Sequence, residues 1–136
     1  MDLVKAMEMA AKGMKAQGTR MRVISENLAN AETTGTTPGQ RPYQRQVVTF
    51  KNELDRSDRL RHVEVDKILS DKSDFILKFD PNHPAADQNG YVKTPNVNPL
   101  IEMMDMREAQ RSYEANLGVI DMARSMLTRT IELIRG

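Results

Sequence analysis

From Asn98 to residue 136 nothing interrupts a helical pattern: no proline follows Pro99, and the only glycines are Gly118 and Gly136. Asn98 can cap a helix and Pro99 suits its first turn. Met103, Met106, Gln110, Tyr113, Leu117, Ile120, Arg124, Leu127, Ile131 and Ile134 then alternate steps of three and four, and eight of these ten are apolar. That is a seam of the coiled-coil type, and Ala109 and Ala123 widen it. A helix of ~37 residues is roughly 55 Å long. A compact chain of 136 residues has a radius of gyration of roughly 14 Å, a globule only about 37 Å across. The remaining residues cannot wrap such a helix, so it needs a long partner.

The chain supplies one. Leu3, Met7, Ala10, Met14, Gln17, Met21, Ile24 and Leu28 form a second heptad stripe over residues 2–30, broken only by Gln17. Gly13 and Gly18 lie beside it. Each costs about 1 kcal/mol against alanine in a helix interior. They are either tolerated or let another backbone come close. All nine methionines after Met1 fall in the two end segments, where an unbranched side chain can adapt to core or neighbour. Even paired, two such helices leave much surface for adjoining subunits.

The middle has another period. Tyr43–Phe50 and His62–Leu69 read as strands, and Phe75, Ile76, Leu77 and Phe79 as a third apolar run. Asn89-Gly90 signals a tight turn into Tyr91-Val92-Lys93. Residues 51–61 read as an exposed loop or short surface helix. The expected layout is an α+β chain, mainly α. An N-terminal helix (1–35) and a C-terminal helix (98–136) pair as a coiled-coil-like bundle around a small β-rich module (36–97).

Chemistry is sparse. There is no cysteine, which excludes disulfides, thiolate metal sites and cysteine nucleophiles. His62 and His83 lack partners at metal-ligand spacing and read as solvated surface residues. Asp87-Gln88-Asn89-Gly90 fails as a calcium loop because Ala85 and Asn96 stand where acids are needed. Glu102, Asp105, Glu108, Glu114, Asp121 and Glu132 alternate with arginines and read as a solvated or subunit-facing charged surface. Gly35-Thr36-Thr37-Pro38-Gly39 lacks the ending of a phosphate loop. No catalytic residue, cofactor or metal is expected. With 20 basic and 19 acidic residues, nucleic acid has no electrostatic footprint to bind. Nor does any apolar run approach the ~20 residues of a membrane span. The N-terminus carries acids where a secretory signal is apolar, so any export is expected without a cleaved signal.

Two segments carry more than periodicity. Ser25-Glu26-Asn27-Leu28-Ala29-Asn30-Ala31-Glu32-Thr33-Thr34-Gly35 resembles the signature closing the N-terminal helix of bacterial flagellar rod and hook proteins. Asn27, Leu28, Ala29, Asn30, Thr33 and Gly35 are the matching positions. Gly90-Tyr91-Val92, Pro95-Asn96-Val97-Asn98-Pro99 and Glu102-Met103 resemble the opening of the C-terminal helix in that family. So does Ala109-Gln110-Arg111-Ser112-Tyr113-Glu114-Ala115-Asn116, and the short middle resembles the proximal-rod members. Glu26 stands where a second Asn is common, and Thr36 where an aromatic often follows the glycine.

The resemblance implies a structural subunit of the basal-body rod. It would polymerise through its terminal helices into a torque-transmitting tube around an export channel. Implied partners are further copies, other rod proteins, the membrane-ring and rod-base proteins and the flagellar type III export apparatus. The implied location is a rod spanning the periplasm, with no small-molecule substrate. A coiled-coil adaptor for one partner helix is the competing expectation.

Overall fold

The computed structural model describes residues 2–57 and 59–136. In order, it contains α1 (Leu3–Ala29), β1 (Gln46–Asp55), β2 (Leu60–Ser70), β3 (Ile76–Phe79), β4 (Tyr91–Thr94) and α2 (Pro99–Arg135). The chain is α+β: two long helices with two antiparallel hairpins, β1–β2 and β3–β4, between them. Neither helix is long and apolar enough to cross a membrane.

The helix ends follow from local chemistry. The Asp2 carboxylate accepts from Val4 N–H at 3.1 Å, opening α1. Asn30 closes it: backbone and side-chain N–H groups both donate to the Glu26 carbonyl. At α2, the Asn98 side chain accepts from Leu100 N–H at 3.1 Å, and Pro99 occupies the first turn, where a missing N–H costs nothing.

The helices run antiparallel. Asn27 lies against Glu102, Arg20 reaches Glu108, and Gly13 packs against Asn116. The seam on α2 differs from the expected one. Glu102, Met106, Ala109, Tyr113, Asn116, Ile120, Ala123 and Leu127 are buried or half-buried, whereas Met103, Gln110, Leu117, Arg124, Ile131 and Ile134 are exposed. Four of the ten expected positions therefore face α1, four more are replaced by the neighbour one residue earlier, and Ile131 and Ile134 lie beyond the contact. Small side chains decide this. Ala109 and Ala123 admit α1 closely, and Asn116 fits over Gly13, whose added Cβ would lie 2.9 Å from Asn116 Nδ2.

On α1, Ala10 and Ile24 are buried and Leu3, Met7, Met14, Met21 and Leu28 half-buried. Gln17 also turns inward, and its Oε1 is buried without a hydrogen-bond partner. Ala16 and Val23 are buried as well, toward the β1–β2 hairpin. α1 is thus covered by α2 and by the hairpin, whereas among the described residues α2 packs on no element but α1.

Residues 51–61 are not the expected loop or helix. Both strands continue to a short turn, pairing Lys51 with Glu64 and Asp55 with Leu60; Asp58 lies outside the described residues. The charge-rich run tolerates strand geometry because both its faces meet solvent and Lys51 stands opposite a carboxylate. A bulge falls between Thr49 and Phe50. Tyr43–Arg45, expected in the strand, precede the ladder. In the second hairpin Phe79 and Tyr91 pack edge to face at 5.3 Å, and Gly90 turns the chain with φ +83°.

The two α1 glycines are expected to differ. Nothing lies within 4 Å of a Cβ added at Gly18, so Gly18→Ala should stabilise the isolated chain by about 1 kcal/mol. Gly13→Ala should lose that gain to Asn116, and Gly13→Ala/Asn116→Ala should regain it, all read from urea unfolding midpoints.

Candidate functional site: a buried polar clamp and an uncovered helix face

The first family-like segment ends α1, the second begins α2, and the structure joins them at one polar junction. Glu102, 1 % exposed, sits one turn into α2. Its Oε1 accepts a short hydrogen bond from Arg45 Nε, and its Oε2 accepts from Asn27 Nδ2 at 3.4 Å. Arg45 also pairs with Asp71 at 3.2 Å and Asp105 at 3.6 Å.

Asn27 is saturated: Nδ2 donates to the Gln46 carbonyl at 2.8 Å, while Oδ1 accepts from Tyr43 Oη at 2.7 Å and Gln46 N–H at 3.0 Å. Asn96 does the same work opposite. Its Oδ1 accepts from Arg45 N–H at 2.7 Å, and its Nδ2 donates to the Asp71 and Ser73 carbonyls at 3.0 and 3.2 Å. The junction ties both helices and the strand ends into one body.

Its charges are tuned by these contacts. Burial lowers the Arg45 pKa, but hydrogen bonds and charges from Glu102 and then Asp71 outweigh it, leaving the group above its ordinary value. Backbone and side-chain hydrogen bonds from Ser73, followed by Arg45, hold the Asp71 carboxyl below the usual range. Burial, then the Glu26 and Glu102 carboxylates, push the Tyr43 phenol up. Every charge here faces a partner, so the cluster acts as a structural clamp.

Several expected surface residues prove to be structural. Glu102 is not solvated: Arg45 draws it inward. His62 is buried and donates through Nε2 to Glu64 Oε1 at 2.8 Å, which holds the Glu64 carboxyl low. His83 is half-buried. Its Nδ1 accepts from Ala85 N–H, which leaves Nε2–H to donate to Thr34 Oγ1 at 3.1 Å.

Among the remaining motif positions, Gly35, Pro95 and Val97 are buried, Leu28, Asn30, Ser112, Tyr113 and Asn116 half-buried, and Ala29, Thr33, Arg111 and Ala115 exposed. Thr33 still bonds back to the Asn30 carbonyl at 2.9 Å. Sequence reasoning missed Arg45, Asp71 and Tyr43. The available signal was an acid, Glu102, on the heptad line that also carries Ala109 and Ala123.

The second feature is an uncovered face. Leu100, Met104, Ala115, Gly118, Met122, Met126 and Leu133 are all exposed. At 3.6 residues per turn they fall within about 80° of one another, opposite the α1 seam. Glu108, Arg111 and Arg129 share this arc, and its large apolar side chains lie open to solvent; Met122 is 63 % exposed. Such a surface marks an interaction site.

Comparison with known proteins points the same way. Residues 7–36 match the family model for flagella basal body rod protein, and residues 88–133 that for the flagellar basal body rod FlgEFG protein C-terminal region. Along nearly all of its length the chain aligns with flagellar basal-body rod proteins FlgC. The Agrobacterium fabrum protein is 52 % identical, over 98 % of this chain and 96 % of its own. Those of Salmonella typhimurium and Bacillus subtilis are 35 % and 34 % identical, each over 98 % of this chain and at least 98 % of their own. The clamp and the bare helix face thus belong to a structural rod protein, not an enzyme. More narrowly, the chain belongs to the FlgC family of flagellar basal-body rod proteins.

Arg45→Met should strand a buried carboxylate. The cost should be about 3 kcal/mol, the low end for a broken buried pair, because the Arg45 side chain retains 23 % exposure. Arg45→Met/Glu102→Met should recover most of it in urea unfolding.

Acid should act through Asp71. A depressed carboxylate pKa contributes stability above its unfolded value of about 3.9 and loses it as pH falls through the lower folded value. The stability gap between the native chain and Asp71→Asn should therefore be constant near neutrality and narrow below about pH 4, in midpoints measured against pH.

Proposed function

We propose that this chain is a structural subunit of the proximal rod of the bacterial flagellar basal body. It polymerises through its terminal helices into the tube that transmits torque and encloses the export channel. The uncovered α2 face carries this reading. It carries exposed apolar side chains at both ends of the helix, it lies opposite the one element that α2 packs on among the described residues, and it belongs to a chain of the FlgC family. Met103, Leu117, Ile131 and Ile134, placed on the heptad stripe but left exposed, supply part of the contact between subunits. Leu3, Met7, Ala10, Met14, Met21, Ile24, Leu28, Met106, Tyr113, Ile120 and Leu127 hold the two helices as a coiled-coil-like bundle.

In this reading residues 1–35 and 98–136 form the tube wall, and residues 36–97 form a β-rich module held to it by the polar junction and by the packing of β1–β2 on α1. The partners are further copies, other rod proteins, the membrane-ring and rod-base proteins, and the type III export apparatus that passes the chain without signal cleavage. The rod so built spans the periplasm.

Electron microscopy of basal bodies tests the reading. Cells lacking the chain should show no completed rod, and an intact rod would overturn the proposal. Met122→Glu should leave the unfolding midpoint of the isolated chain nearly unchanged, because the side chain is exposed, yet abolish rods and motility.

A further inference from the structure

Asn89-Gly90 is the one place in the chain where asparagine precedes glycine. Beyond signalling a turn, the pair has chemistry of its own. The side-chain amide carbon of an asparagine is one ring closure away from the backbone nitrogen of the next residue, and glycine has no Cβ to obstruct that approach. Asn98 precedes a proline, which has no N–H to lose, and the other asparagines precede residues with side chains.

The fold cannot dispense with this glycine. Gly90 has φ +83°, and a Cβ there would lie 2.9 Å from the Phe79 ring and 3.1 Å from Pro81. Instead, the turn ties up the reactive nitrogen. Gly90 N–H donates to the Asp87 carbonyl at 3.0 Å, and the Gly90 carbonyl accepts from Asp80 N–H at 2.9 Å. Asp87 Oδ1 accepts from the residues on either side, Asn89 N–H and Tyr91 N–H, each at 2.9 Å. Asp87 N–H closes the loop on the Tyr91 carbonyl at 2.9 Å. Gly90 is buried and Asn89 exposed. Asp87 thus holds the nitrogen of Gly90 away from its neighbour's side chain.

We propose that Asn89 is a latent site of spontaneous modification, closed in the folded hairpin and open whenever the loop between β3 and β4 is unfolded. In the open chain a solvent base takes the Gly90 amide proton, and the nitrogen attacks Asn89 Cγ. The Cγ–Nδ2 bond breaks, the base returns its proton to Nδ2, and ammonia leaves a five-membered imide. Water then adds to one of the two ring carbonyls. Opening at Cγ leaves an aspartyl residue at position 89. Opening at the backbone carbonyl leaves an isoaspartyl residue, with the chain running through Cγ. Nothing but water is consumed, and no redox partner is needed. The isoaspartyl product adds one backbone carbon to a turn that Asp87 spans with three accepted hydrogen bonds. Modification therefore stops when the hairpin forms, and its extent records the time a chain spends unfolded. The proposal stands apart from the rod reading.

Trypsin releases residues 79–93 as one peptide, because Lys78 and Lys93 bound it. The full-length chain is kept in mildly alkaline buffer with or without urea, quenched in acid at intervals and digested. Each conversion adds about 1 Da, and fragment ions assign it to position 89 or to Asn82, the other asparagine in the peptide. Conversion at 89 should be at least about tenfold slower in the folded chain than in urea. Asp87→Ala, at an exposed position, should speed it severalfold in the folded chain. Asp87→Asn keeps an Oδ1 acceptor and should stay as slow as the native chain. Asn89→Gln, which must close a six-membered ring, should remove the reaction at 89.

Equal rates in the folded and urea-treated chains would overturn the proposal, as would conversion at Asn82 ahead of Asn89. So would an Asp87→Ala chain that remains folded by circular dichroism and converts no faster. Should Asp87→Ala fail to fold, Asp87→Asn decides: a folded chain that converts as fast as in urea would overturn the role of the Oδ1 acceptor.

Discussion

A carboxylate buried at the start of α2 organises this molecule. Glu102 loses its hydration on folding, a cost that is tolerable only with a cation and further hydrogen bonds in place. Arg45 provides the cation, and Asn27 provides a donor from the end of α1. Because Arg45 also grips Asp71 and its backbone is held by Asn96, satisfying one charge fixes the strand ends relative to both helices. Asparagine suits the two pivotal positions because its amide offers donors and acceptors together. Asn27 bridges a helix to the 43–46 segment, and Asn96 bridges that segment to residues 71–73.

This arrangement matters because the two-stranded hairpins have little else to hold them. An isolated hairpin is marginal in water. The first leans on α1, which is why Ala16 and Val23 are buried away from the helix partner. Among the described residues the second packs on no other element, and the Asn96 bonds and the Thr34–His83 bond hold its position. The module is therefore oriented by polar pinning at its base more than by an apolar core.

The helices divide their surfaces unequally. α1 is sheltered on two sides and α2 on one. Within the chain α2 turns two alanines, Ala109 and Ala123, to the contact, and Leu100, Met104 and Met122 to solvent. At about 25 cal/mol per Å² of apolar area, covering that outer face would release further hydrophobic energy.

Heptad spacing and the Asn98-Pro99 start signal determined both helices and their need for each other's length. The sequence also marked most of the β pattern, because these depend on local spacing and backbone chemistry. The family-like segments were legible as residue strings without their mechanism. Three things were decided only in the folded chain. The seam on α2 shifted by one residue at four of its ten positions, because close approach favours small side chains while apolar counting favours large ones. The run at 51–61 became strand, because its cross-strand partners offset its local polarity. Glu102 and His62 moved inside, because Arg45 and Glu64 stood ready to pair with them. A sequence records which residues can be buried; which of them are buried depends on partners that only the tertiary structure brings within reach.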